Sequence, residues 1–279
     1  MPTRRAPTAR QMRLAVELRR LREAAGLTAR QAAAMLGVSN VQISQIEAGL
    51  SGVSERRLRR LASHYACVDE EFVGALVAMA VDRTRGWWEE YRGLLPTSFL
   101  DLAELDHHAT FQQDVAVLYV PGLLQTEDYA RAVFSSRIPE LTEEEIELRV
   151  RHRLTRQSRA TFPHEIVIHE SALRIRVDDR AATRTQLTRL LEASETDGVT
   201  LRVIPFDLDG FARASSTMTY VGGAVPKLDT VARDAPHGAL LIDSEAQLSA
   251  YRTRFHKVED ASLEPGPSRD FIHRLTKEL

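Results

Sequence analysis

Between positions 40 and 45 the sequence places side chains whose chemistry suits the edges of nucleic acid bases. Asn40, Gln42 and Gln45 carry amides, Ser44 carries a hydroxyl, and Val41 is apolar. An amide can donate to and accept from adenine at once, and an apolar side chain suits the methyl group of thymine. If these residues point away from the core on one helix, they form a surface that can distinguish base pairs.

A pair of short helices must position these side chains. Thr28 followed by Gln31 is a capping box, which predicts the start of a helix that Gly37 ends. Ser39 is then the predicted N-cap of a second helix, which ends at Gly49. The apolar residues expected to fix the second helix on the first are Val38, Ile43 and Ile46. Two short helices joined by a tight turn are typical of a DNA-binding motif.

Three further helices are predicted around this pair. One begins near Arg10, follows an apolar stripe with the spacing of a helix, and ends at Gly26. Another follows a cap at Ser54, and the last runs from about Asp69 to Ala80. No strand pattern interrupts them, so we expect a head of five helices.

Charge is divided unevenly between this head and the rest of the chain. Residues 1–66 contain 12 arginines, no lysine and 4 acids, whereas the remaining residues contain 25 bases and 35 acids. A basic head on an acidic body favours one domain that binds a polyanion and one with another task. We therefore expect a flexible basic arm at residues 1–9, a DNA-binding head at 10–82 and a separate body at 85–279.

The landmarks of residues 10–80 resemble those of the XRE family, the Cro- and phage-repressor-like regulators. The resemblance rests on the order of five helices and on the segments Gly37-Val38-Ser39 and Ile46-Glu47-Ala48-Gly49. It implies a lambda-repressor-like fold whose recognition helix, Ser39 to Ala48, lies in the major groove of a double-stranded DNA operator. Unlike many relatives, this helix has no Arg or Lys on its outward face, so contact with phosphates is expected at its flanks.

Carried onto this sequence, the family pattern assigns two kinds of DNA contact. The residues that it implies are Thr28, Arg30, Ser39, Asn40, Val41, Gln42, Ser44, Gln45, Arg56 and Arg57. Those on the recognition helix face the bases, and those at the starts of the second and fourth helices lie beside the phosphate backbone. The family also often pairs the positions of Arg22 and Glu47, so we predict an ion pair there.

The body has the pattern of a mixed α+β domain. Apolar or alternating stretches predict strands at Val115–Val120, Glu165–His169, around Val199–Val203, at Ser216–Val221 and at Ala239–Ile242. Helical stretches lie between them, so the body is expected to hold a small mixed sheet. The fold class of the whole chain is therefore predicted to be α+β.

Four blocks of the body recur in the same order in one group of regulators. They are Trp87-Trp88-x-x-Tyr91, the Pro-Gly-Leu-Leu-Gln-Thr block at 121–126, Arg151-x-Arg153-x-x-Arg156-Gln157, and His169-Glu170-x-x-Leu173. They resemble the actinobacterial WhiJ-like regulators, in which the last block usually begins with Asp-Glu. The resemblance implies a transcriptional regulator, often antitoxin-like, whose gene often lies beside one for a small acidic partner protein.

Signatures of enzymes and of metal sites are missing. The sequence has no nucleophile elbow, phosphate-cradling loop or dinucleotide fingerprint, so we expect no catalytic residue, no cofactor and no metal. The nine histidines lack ligand spacing and are expected at surface or capping positions. The arginines between 149 and 156 either bind an anion or, as we favour, lie on a solvated helix face.

The composition also limits where the chain acts. Cys67 is the single cysteine, which excludes an internal disulfide framework. The longest apolar run, Phe72 to Val81, is about half a membrane span. We therefore expect a cytoplasmic, nucleoid-associated protein that contacts no membrane.

Three functions remain open at this point. The first is a repressor-like regulator, binding DNA as a homodimer, whose body senses a ligand or a small protein. The second is an antitoxin-like interaction protein that neutralises a small partner and regulates its own operon. The third, an enzyme that its head tethers to DNA, is the least favoured, because the body shows no catalytic signature.

Overall fold

The computed structural model of the chain describes residues 7–208, 216–235 and 238–279. It divides into two compact units. The first ends at Glu89 and also includes Ala224–Lys227, and the second comprises Glu90–Gly223 and Leu228–Leu279. Each unit is described separately below.

Among its described residues the first unit has five α-helices and no strand. They are α1 Ala9–Ala24, α2 Ala29–Leu36, α3 Asn40–Glu47, α4 Glu55–His64 and α5 Glu70–Val81. This confirms the predicted head of five helices.

Local sequence sets the ends of these helices. The predicted capping box of α2 is present. The backbone N–H of Gln31 donates to the Thr28 hydroxyl oxygen, and the backbone N–H of Thr28 donates to Gln31 Oε1. Gly37, which ends α2, has a φ of 71°, a backbone conformation that favours glycine. Ser54 occupies the N-cap position of α4, but its side chain makes no capping hydrogen bond. Short helices of this kind depend on such caps, because the N–H groups of the first turn and the carbonyls of the last turn have no partner within the helix.

The second unit combines a six-stranded sheet with helices. Its helices are α6 Thr97–His107, α7 Glu127–Ser135, α8 Glu143–Arg159, α9 Glu170–Arg174, α10 Arg180–Ser194, α11 Glu245–Asp260 and α12 Pro265–Glu278. Its strands are β1 Phe111–Ala116, β2 His164–His169, β3 Val199–Ile204, β4 Met218–Gly222, β5 Thr230–Ala235 and β6 Gly238–Ile242. The predicted α+β class and mixed sheet are confirmed.

Strand order in the sheet is β3-β2-β1-β4-β5-β6. The strands β1, β2 and β3 run parallel, whereas β4, β5 and β6 pair antiparallel. The two faces of the sheet pack against different helices. On one face Ile166 and Val203 pack with residues of α10 and α12, and on the other Val167 and Tyr220 pack with residues of α11.

The first strand does not lie where its apolar run suggested. The prediction was Val115–Val120, but β1 spans Phe111–Ala116. Its early residues Gln112 and Asp114 are polar and yet buried, because Asp114 bonds to His164 and Thr219 on the neighbouring strands and accepts from Gln112 within β1. Hydrophobicity alone therefore placed this strand too far along the chain.

Candidate DNA interface

Helix α3 has a buried and an exposed side. Ile43 and Ile46 are buried at 1% and 3% relative exposure, as the sequence predicted. On the other side Asn40, Val41 and Ser44 are exposed. Val41 is 65% exposed and places an apolar contact surface beside the polar groups.

The remaining polar residues of this segment differ from these in burial or position. Gln42 and Gln45 are partly buried, and Ser39 is exposed. The Ser39 hydroxyl oxygen accepts a hydrogen bond from the Gln42 N–H at 3.2 Å, which makes Ser39 the N-cap of α3. The cap fixes the direction of the helix start from which Asn40 and Val41 project.

The predicted ion pair between Arg22 and Glu47 is present. Arg22 Nε lies 2.7 Å from Glu47 Oε1, and Arg22 Nη2 lies 2.9 Å from Glu47 Oε2. Arg22 also donates from Nη1 to the Leu27 carbonyl at 2.6 Å. Both charged side chains are about nine-tenths buried, and the hydrogen bond that Arg22 donates to Glu47 is the main cause that raises the Arg22 pKa. This two-pronged contact ties the end of α3 to α1.

At the start of α2 the predicted residues Thr28 and Arg30 are both exposed. The Thr28 hydroxyl is already used inside the protein, since it donates to Gln31 Oε1 at 2.8 Å. The first backbone N–H groups of a helix have no helical acceptor and carry partial positive charge. Backbone N–H groups and the Arg30 guanidinium are therefore the groups that this helix start offers to an anion.

Arg56 and Arg57 lie in the first turn of α4, Arg56 exposed and Arg57 partly buried. Among the described residues Arg30, Arg56 and Arg57 form no ion pair. Other arginines of the unit are engaged: Arg19 with Glu23, for example, and Arg59 with Glu55. The predicted phosphate-contacting arginines are thus among those whose charge no contacting carboxylate neutralises within the described residues.

The arginines of α8, in the second unit, correct the sequence prediction. A solvated face was favoured for the arginines between 149 and 156, but Arg149 and Arg156 are buried, Arg153 is partly buried, and of these four Arg151 alone is exposed. Arg156 Nε lies 2.5 Å from Asp106 Oδ2. The structure therefore buries part of the face that the sequence assigned to solvent.

Two histidines also lie in the interior rather than at the surface. His152 on α8 packs edge-on against Tyr91 and Phe99, with ring centroids 4.9 and 5.5 Å apart. Burial, then the nearby charges of Arg156 and Arg153, lower the pKa of His152 to about 3. The other is His164, on the sheet; His169, although buried, does cap α9, accepting from the Ser171 N–H at 3.2 Å.

A buried polar cluster surrounds Asp114 on the sheet. Its Oδ2 accepts from Gln112 Nε2 at 2.8 Å and lies 2.6 Å from His164 Nε2, and its Oδ1 accepts from Thr219. Burial alone would raise the Asp114 pKa, but the contacts from His164, Thr219 and Gln112 outweigh it and the pKa is lowered. Both carboxylate oxygens have donors, so the cluster joins β1 to β2 and β4.

The described residues show neither a metal site nor a membrane span. No group of three or more His, Cys, Asp or Glu side chains among them is placed to hold a metal ion. Within the same residues no helix combines the length and the apolar character needed to cross a bilayer. In the first unit, the polar face of α3 and the cationic helix starts of α2 and α4 are the exposed groups that offer chemistry.

Two family models match this chain, one in each of its two units. A model described as a helix-turn-helix domain matches residues 13–73, which contain α2 and α3, and indicates a DNA-binding regulator. No curated protein and no solved structure matches the chain. A second model, whose description is a domain of unknown function, DUF5753, matches residues 99–274. That match covers more than half of the chain, which therefore belongs to the DUF5753 family.

Proposed function

We propose that this protein is a sequence-specific, repressor-like transcriptional regulator that reads a double-stranded DNA operator through α3. The observation that carries the proposal is the exposed, uncharged polar face of α3 on a helix that the Arg22–Glu47 pair holds firmly. A helix that reads bases must keep a fixed angle in the major groove, because a bidentate contact tolerates little displacement.

Base reading is assigned to the face of α3. Asn40 and Gln45 offer amides to adenine, and Val41 offers an apolar contact to thymine. Ser44 is exposed beside them, and Ser39 and Gln42 complete the surface at the helix start. The exposure of Val41 to water supports this role, since a thymine methyl group would cover it.

Phosphate contact is assigned to the neighbouring helix starts. Arg30 and the N-terminal N–H groups beside Thr28 serve at α2, and Arg56 and Arg57 serve at α4. Their lack of acidic partners among the described residues supports the assignment, because a neutralised arginine releases fewer counterions on binding DNA.

A homodimer is part of the proposal. A single small module buries about 600–1,000 Å² on DNA, too little for the usual strength of specific binding. Two copies on a palindromic operator double the number of base contacts, as is usual for helix-turn-helix proteins.

The second unit is proposed to sense a ligand or a small protein. The blocks at 121–126 and 151–157 support membership of the WhiJ-like group, and with it a small acidic partner encoded nearby. The alternative is an antitoxin-like protein whose main task is to neutralise that partner. Purification of the tagged chain from its own host, with its neighbouring gene intact, distinguishes the two. A stoichiometric small protein whose activity the chain suppresses favours the alternative.

The direct test is selection of binding sites from random double-stranded DNA with the full chain. A consensus sequence should emerge, and Asn40→Ala and Gln45→Ala should each lose about 1–3 kcal/mol of preference for it over scrambled DNA. The matched control is Ser63→Ala, on the exposed side of α4, which should keep the full preference. Retention of full preference by both α3 variants would show that the reading face is assigned wrongly.

A further inference from the structure

Two separate blocks of the sequence meet on the inner face of α8. Gln157 Nε2 donates to the carbonyls of Gly122 and Gln125, each at 2.8 Å. Arg153 donates from Nη1 to the Gln125 side-chain oxygen. The loop at 121–125 is also bound to α10, because Gln186 Nε2 donates to the Leu124 carbonyl at 2.8 Å. The loop and the arginines of α8 thus form one fixed assembly.

Arg153 is the exceptional member of this assembly. Its guanidinium carbon lies 4.2 Å from the centroid of the Phe134 ring, and within the described residues it forms no ion pair. Burial, and next the charge of Arg156, lower the pKa of Arg153 to about 9, so the group is still charged at neutral pH. Its one hydrogen-bonding partner, the Gln125 amide, is neutral. The charge of Asp234 acts on this partly buried group without contact and raises its pKa, but a guanidinium with no carboxylate in contact is still costly to remove from water.

Neighbouring arginines add to the excess of positive charge. Arg156 is matched by Asp106. Arg149 donates to the Glu145 carbonyl at 2.8 Å and lies 5.8 Å from the Phe99 ring, but it too lacks a carboxylate contact. Burial is the main cause that lowers its pKa. Three guanidinium groups therefore share one contacting carboxylate, while Glu145 and Asp234 act on Arg149 and Arg153 without contact.

Gly122 marks the point where two of these groups converge. A Cβ atom on Gly122 would lie 3.5 Å from Arg153 Nε and 3.8 Å from Arg156 Nη1. These are ordinary contact distances, so an atom of that size fits there without displacing either side chain. Two guanidinium groups within contact of one point can share the oxygens of a bound anion.

We propose that Arg153 and Arg156, beside Gly122, bind the phosphate group of a small ligand. The guanidinium fork matches the oxygens of a phosphate. The convergence of two guanidinium groups on one point favours a phosphate monoester, which carries about −1.5 to −2 at neutral pH, over a carboxylate with a single charge. As the input of the regulator this site rests on the proposed function, but binding of phosphate does not.

The experiment uses the full chain without DNA, so that failure to bind an operator cannot affect it. Equilibrium dialysis with labelled inorganic phosphate, at constant ionic strength set with chloride, should show saturable binding of one phosphate per chain. Arg153→Gln should weaken that binding at least tenfold. The matched control is Arg151→Gln, on the solvent-exposed side of the same helix, which should bind as the wild type does.

A second variant keeps the test decisive if Arg153→Gln does not fold. Gly122→Ala leaves every charge in place but fills the point where the two arginines converge, and it should also weaken binding at least tenfold. Unsaturable binding, equal competition by acetate and by phosphate, or wild-type affinity in folded Arg153→Gln or Gly122→Ala would overturn the proposal.

Discussion

The arginines at the helix starts of the first unit and those along α8 of the second unit meet opposite surroundings. Arg30 and Arg56 are exposed and have no acidic partner among the described residues. Arg149 and Arg156 are buried, and their charges are held by a carbonyl and a carboxylate. The same side chain is thus offered outward in one unit and enclosed in the other. A count of charges along the sequence cannot separate these uses, because it does not say which face of a helix packs.

The two units also share one device, a buried arginine–carboxylate pair between helices. Arg22–Glu47 joins α1 to α3, and Arg156–Asp106 joins α8 to α6. In each, removal of one partner leaves a charge inside the protein, and that loss costs more than the intact pair contributes. Variants at these pairs test whether burial, rather than residue type, determines how much an arginine and its partner contribute to the free energy of unfolding.

The largest effect is expected at Asp106. Replacement by Ala leaves Arg156 uncompensated next to Arg153, and it should lower the free energy of unfolding of the second unit by about 4 kcal/mol. Urea denaturation measures this. The control is Glu192→Ala, whose carboxylate lies 4.0 Å from Arg189 on an exposed helix face and should cost under about 1 kcal/mol. Equal costs for the two variants would contradict the role of burial.

A slightly smaller effect is expected in the first unit. Glu47→Ala should destabilise it by about 3 kcal/mol, because Arg22 keeps its bond to the Leu27 carbonyl. A double-mutant cycle with Arg22→Ala should give a coupling energy above about 1 kcal/mol. Additive effects would mean that the bidentate contact contributes nothing specific.

His152 makes the stability of the second unit depend on pH. Its folded-state pKa of about 3 lies below the ordinary value, so the unfolded chain binds a proton that the folded chain refuses. The stability from this residue is present above about pH 6.5 and is lost as the pH falls toward 3, by up to about 1.4 kcal/mol per pH unit.

Urea denaturation between pH 7 and pH 4.5 checks this dependence. His152→Gln should flatten the pH profile of the second unit. His256→Gln, whose ring is exposed on α11, should keep the wild-type slope. An unchanged slope in His152→Gln would assign the acid sensitivity to other groups.

The first unit could be predicted from the sequence almost completely. Caps such as Thr28 with Gln31, the glycine at 37 and the regular apolar spacing of Ile43 and Ile46 are local signals, and local contacts fix these helices. The Arg22–Glu47 pair followed from a family resemblance. Which arginines are free of acids did not follow, because it depends on neighbours brought together by folding.

The second unit was less predictable, because some of its polar residues are buried and form hydrogen bonds with residues that are distant in the sequence. The first strand lies earlier than its apolar run because it includes the buried Asp114, whose carboxylate contacts His164 and Thr219 on other strands. The strand Thr230–Ala235 was not predicted, because Arg233 and Asp234 mask its buried Val231. No local pattern of α8 distinguishes the enclosed Arg153 from the exposed Arg151.

The smallest expected effect sharpens the comparison between free and paired arginines within one helix. Arg56 and Arg59 both lie on α4 and are exposed, but Arg59 Nε lies 2.8 Å from Glu55 Oε1, whereas Arg56 has no acidic partner among the described residues. A phosphate neutralised by a free arginine releases a counterion, so Arg56→Gln should reduce the slope of log affinity against log salt by about 0.9. It should weaken binding to selected and scrambled DNA alike, because phosphates carry no sequence information. Arg59→Gln should change the slope by much less, and equal changes in the two variants would remove the distinction between free and paired arginines on which the phosphate contacts are assigned.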